Sequence, residues 1–176
     1  MKNLIFLSTF MLIYNLGLCQ DGFTFFQLKG GYVHKEGMSL NIGFDFSKKY
    51  YSAYELTGTY MQSFAKEVSY ETVFNEADSS YTQRELKHSY KNLLVGFQYK
   101  PIMFREKNTA MKFRFGGYMG TDFDKFIISP NVGLELVHSL GKGFDLTLSN
   151  NNGYYFWASK PTRWRNSIEL GFRLGL

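Results

Sequence analysis

Cysteine is nearly missing from this 176-residue chain, which has only Cys19. No intrachain disulfide can form, and no metal site can be assembled from thiolates. Histidine is almost as rare. His34, His88 and His138 lie far apart, without the close spacing of a metal-ligand pair. Proline is scarce, at 3 residues. Beyond the N-terminus no apolar run approaches the ~18 residues that a spanning helix requires. Mean hydropathy is −0.25, which excludes a helical membrane protein. Clustered positive charge is missing too. The formal net charge is +5, from 20 Lys and Arg against 15 Asp and Glu, and it is spread along the chain. Nucleic-acid binders gather such charge on one face, so direct nucleic-acid binding is not expected.

Aromatic residues and glycine are plentiful. Tyr (13) and Phe (18) dominate an aromatic content of 19%, beside 17 Gly. That combination suits a β-barrel with aromatic girdles and tight turns. Residues 1–19 read as a secretory signal. Lys2 is the positive n-region, residues 4–18 the apolar stretch, and Gly17 and Cys19 the small residues before a cleavage site. Cleavage would leave residues 20–176, starting at Gln20, as one outer-membrane domain. A lipoprotein acylated on Cys19 is the competing reading, although Leu18 stands where lipidation favours a small residue.

The C-terminal decapeptide shows the governing pattern. Ile168, Leu170, Phe172, Leu174 and Leu176 alternate with Glu169, Gly171, Arg173 and Gly175. A period of 2 with one apolar face is a strand signature. Seven earlier segments repeat it: residues 23–33, 38–47, 51–61, 90–100, 110–119, 131–140 and 144–149, the last running on to about 154. In the second, Met38, Leu40, Ile42, Phe44 and Phe46 oppose Ser39, Asn41, Gly43, Asp45 and Ser47. Eight strands is the minimum for a single-chain outer-membrane barrel, and such a sheet must close on itself in lipid. The predicted fold is therefore all-β, an eight-stranded antiparallel up-and-down transmembrane β-barrel.

A soluble sandwich or lipocalin-like barrel would show the same alternation with its faces exchanged. The polar face argues for the membrane. Lys29, Asp45, Glu55, Lys112, Arg114, Glu135, Asp145, Glu169 and Arg173 are nearly balanced in sign, as a sealed lumen requires. With the N-terminus periplasmic, residues 48–50, 101–109 and 141–143 are inner turns, and 62–89 and 157–166 are outer links. Residues 101–109 are long and apolar for an inner turn. The stretch 66–87 is polar with Tyr70, Phe74 and Tyr81 interspersed; it reads as a solvated loop or strand extension, or more sharply as a docking surface.

No catalytic, cofactor-binding or metal-binding residue is expected. Residues 148–153 (Leu-Ser-Asn-Asn-Asn-Gly) resemble the His-x-Ser-Asn-x-Gly stretch of PagL-type lipid A deacylases. Thr147 occupies the histidine position, so Ser149 lacks the base a serine nucleophile needs.

A broader resemblance covers about residues 90–176. Leu134-Glu135-Leu136 with Leu140, residues 145–149, Trp157-Ala158-Ser159, Arg163-Trp164-Arg165, Gly171-Phe172-Arg173-Leu174 and Lys107-Asn108-Thr109 carry it. In these the chain resembles the conjugal transfer protein TraO family of conjugative transposons. That resemblance implies a non-enzymatic anchoring or assembly component of a conjugative DNA-transfer apparatus. Its partners would be the bilayer with its lipopolysaccharide and other conjugation proteins. A stand-alone porin-like or adhesion-type barrel is the alternative.

Overall fold

The computed structural model describes residues 23–34, 37–47, 52–64, 67–75, 80–88, 90–158 and 163–176. The expected signal segment 1–19 and the expected turn at 48–50 lie outside them. Among the described residues ten strands form: β1 (Phe23–Val33), β2 (Gly37–Ser47), β3 (Ser52–Ser63), β4 (Glu67–Asn75), β5 (Ser80–His88), β6 (Lys91–Glu106), β7 (Thr109–Thr121), β8 (Phe126–Gly141), β9 (Phe144–Tyr154) and β10 (Trp164–Gly175). Eight of them close an antiparallel barrel in the order β1-β10-β9-β8-β7-β6-β3-β2. The ring is sealed where β1 pairs with β10, from Phe25 opposite Gly175 to Val33 opposite Ser167.

Burial decides which face meets what. On β2, Ser39, Asn41 and Asp45 are buried, while Leu40, Ile42 and Phe44 are 42–48% exposed. The same inversion runs round the ring: Leu93, Val95 and Phe97 outside Asn92 and Gln98, and Leu134 and Leu136 outside Glu135. A soluble protein would not display so continuous an apolar band, whereas a barrel in lipid must. The lumen is the polar side, which excludes the soluble sandwich. Aromatic contacts extend along the outer wall, Tyr54 with Tyr99 at 5.1 Å and Tyr99 with Phe115 at 5.3 Å.

The two mouths differ. One carries the start of β1, the end of β10 and two tight turns. Gly141, Lys142 and Gly143 all take positive φ (90°, 53° and 75°), as primed hairpin turns need. The other mouth carries residues 122–125, the link 155–163 and the insertion between β3 and β6. Short turns on one side and longer links on the other mark the first mouth as periplasmic.

Three expectations are corrected. Residues 101–109 are not a turn. β6 continues through Pro101 to Glu106, and only Lys107 and Asn108 turn the chain. The register against β7 shifts between Ile102 and Phe104, leaving Met103 as the extra residue of a bulge. Met103 and Phe104 are thus exposed strand residues, which accounts for the apolar character of the segment. Of the two readings of the stretch 66–87, the loop is the one corrected and the strand extension holds, because β4 and β5 pair into a separate two-stranded sheet. Finally, β8 begins at Phe126 and β10 at Trp164, ahead of the expected starts.

Candidate functional site

Alternation places one side chain in two inside the barrel, and eight strands enclose just enough room for those side chains to fill it. All nine charged residues expected in the lumen are buried there. Lys29 reaches from β1 to Glu55 at 3.1 Å and to Glu135 at 2.6 Å. Lys100 lies 2.9 Å from both Glu55 and Glu135 and also pairs with Asp45. Arg114 adds a contact to Glu55 at 2.8 Å. Toward the periplasmic end Arg173 bridges Asp45 at 2.9 Å and Asp145 at 2.6 Å. Glu169 is held by neutral donors: the hydroxyls of Ser39 (3.0 Å) and Ser167 (2.9 Å) and the amide of Asn151 (2.9 Å). A buried carboxylate that keeps its charge needs such donors.

Sequence reasoning left out two lumen cations, Lys100 and Arg165, both buried. Lys100 had the right parity in its strand. Arg165 fell in a segment read as a loop, and the early start of β10 turns it inward. With them the set holds six cations and five carboxylates among the described residues.

Above the charges, an apolar layer closes the outer mouth. Val33, Met61, Tyr90, Leu94, Tyr118, Ile127, Tyr155 and Ala158 are buried together. The Arg165 guanidinium lies between the rings of Tyr90 and Tyr155, at 3.9 and 4.3 Å from their centres. The Tyr155 hydroxyl donates to the Met61 sulfur at 3.2 Å.

Ser149 belongs to this interior. It is 1% exposed, and its hydroxyl donates over a long 3.5 Å to Glu169. Of the histidines, His34 is exposed in the turn after β1, His88 ends β5, and His138 is exposed with its Nδ1 2.8 Å from the Thr109 hydroxyl. Among the described residues no three His, Cys, Asp or Glu converge as a metal site. On the outer wall, the expected polar stretch after Leu148 contributes Asn150 and Asn152. The Asn152 amide donates to the Asn150 carbonyl oxygen at 2.7 Å, and Asn150 donates to the Ser167 backbone carbonyl at 3.3 Å. Mutual bonding of this kind is what polar groups on a lipid-facing wall require.

The β4–β5 hairpin stands apart from the ring. Tyr70, Val73, Phe74 and Tyr81 are exposed, Tyr70 and Tyr81 by 69% and 74%. Phe74 and Tyr81 face each other across the strands with ring centres 5.1 Å apart.

Eight closed strands, an apolar outer wall, a charge-filled lumen and unequal mouths define an outer-membrane β-barrel. Solved structures agree on that fold. A major outer membrane protein from Thermus thermophilus matches with a TM-score of 0.63 at 11% identity, over 89% of this chain and 100% of that one. The outer membrane enzyme PagL matches at 0.53 and 8% identity, over 86% and 99%. A de novo designed transmembrane β-barrel matches at 0.53 and 11% identity, over 88% and 96%. No family model matches the chain, and no curated protein matches it.

Proposed function

We propose that the chain is a non-enzymatic outer-membrane barrel that holds a protein-docking hairpin above the membrane, as an assembly component of a conjugative DNA-transfer apparatus. The observation that carries this reading is the β4–β5 hairpin, whose aromatic side chains are exposed beyond a rigid, closed ring. Exposed Tyr and Phe on a small rigid element are the usual anchors of a protein interface. Conduction is the weaker role, because lumen side chains such as Arg114, Lys100 and Glu135 are 0–1% exposed and leave no passage for DNA. Lipid hydrolysis is weaker still, since Ser149 faces a sealed lumen with a carboxylate, not an imidazole, beside it. The TraO-like residues of 90–176 point to the transfer apparatus as the partner. A stand-alone adhesion-type barrel is the second reading, and the same hairpin supports it.

Deleting residues 67–88 in donor cells tests this reading. The expected result is a normal amount of folded barrel with a reduced transfer frequency. Unchanged transfer would dismiss docking to the apparatus at this surface. If binding to other cells were lost in the same variant, the adhesion reading would replace it.

A further inference from the structure

One buried lumen cation stands at the periplasmic mouth outside the ion-pair network. Lys112, on β7, is only 7% exposed, and among the described residues it makes no hydrogen bond or ion pair. The carboxylates around it are committed: Glu135, opposite it on β8, to Lys29 and Lys100, Asp45 to Lys100 and Arg173, and Asp145 to Arg173. Lys112 instead lines a cavity of about 390 Å³ at the short-turn mouth. Arg105 and Lys107 line the same cavity, with Asp145 as its acidic member. Phe23, Phe25 and Ile102 supply an apolar wall. The Arg173 guanidinium lies over the Phe25 ring at 4.5 Å, which fixes that wall against the charge network.

A lysine taken out of water without a partner is costly, and an anionic oxygen arriving in the cavity would offset that cost. The surrounding charge is positive overall, and the Phe wall would cover an apolar body attached to the anion. We propose that this cavity binds a small anion, a carboxylate or phosphate on a compact body, entering from the periplasmic side with Lys112 Nζ as its anchor. The site is separate from the outer hairpin, so it stands or falls independently of docking. A phosphate could come from free solute or from a phospholipid headgroup of the inner leaflet, and the chemistry at Lys112 is the same.

The test uses the full barrel in zwitterionic nanodiscs, with lysine side-chain and Phe25 NMR signals as the readout. Inorganic phosphate, dihexanoyl phosphatidic acid and phenylacetate are the probes, and benzyl alcohol is the neutral control. The expected result is a saturable shift at Lys112 and Phe25 with at least one anion, its affinity read at Phe25 weakened at least tenfold in Lys112→Gln, and no shift with benzyl alcohol. A response to inorganic phosphate identifies free phosphate, one to phosphatidic acid alone a headgroup, and one to phenylacetate a carboxylate. No saturable shift in the unmodified protein would overturn the site, whether or not the variant folds. So would equal binding by Lys112→Gln, or by benzyl alcohol.

Discussion

Lys29 and Glu135 meet at 2.6 Å across the lumen, from strands β1 and β8 that share no backbone hydrogen bonds. Such a contact can form only once the sheet has closed, so it ties the electrostatics of the interior to the integrity of the ring. Glu135 also serves Lys100, whereas Glu169 relies on hydroxyl and amide donors.

That difference separates two conservative substitutions. Glu135→Gln leaves Lys29 and Lys100 short of a buried counter-charge and should cost about 3–5 kcal/mol. Glu169→Gln removes a charge that no cation among the described residues is paired with and should cost about 1–2 kcal/mol. Equilibrium urea unfolding in lipid vesicles measures both, and equal losses would contradict the network.

Charge on the outer wall should be penalised by depth. Ile42→Arg, midway along β2, should cost about 2–4 kcal/mol, and Leu176→Arg, at the periplasmic rim, about 0–1 kcal/mol. Equal tolerance of the two would show that this face does not meet hydrocarbon.

Gly96 makes room for a ring. A Cβ built there would lie 2.2 Å from two carbons of Tyr118, whose hydroxyl accepts from the Gln98 amide at 2.7 Å. Gly96→Ala should destabilise by about 1–3 kcal/mol through overpacking. Gly58→Ala, with its nearest atom 3.8 Å away, is the control and should stay within about 1 kcal/mol.

The hairpin should be dispensable for folding. Replacing Tyr70, Phe74 and Tyr81 together by serine should leave unfolding free energy within about 0.5 kcal/mol per site, because these side chains are exposed. Each lost anchor should weaken partner capture by about 2 kcal/mol, read as the midpoint of binding to purified outer-membrane transfer components. Unchanged capture would remove the hairpin from the interface.

The barrel was legible because lipid on one side and packed polar groups on the other force a strict period of 2, as on β2 and β10. The hairpin was harder to read. Tyr70 and Phe74 share a strand face, Val73 lies on the other, and all three are exposed, so no apolar stripe marks β4 as a strand. Residues 101–109 were read as an inner turn, whereas β6 runs through Pro101 to Glu106 with a bulge at Met103. The inward charges followed from parity wherever the strand limits were right, and Arg165 was missed because β10 starts three residues early. Lys112 was predicted to face inward. That it would make no ion pair among the described residues depends on which strands lie across the lumen, and no local pattern carries that.

Heat-modifiable gel migration of isolated outer membranes tests the closed transmembrane barrel most directly. The account predicts that the protein fractionates with the outer membrane and that the unboiled sample migrates differently from the boiled one, because a closed ladder resists detergent. A protein recovered soluble from the periplasm, with migration indifferent to boiling, would contradict it.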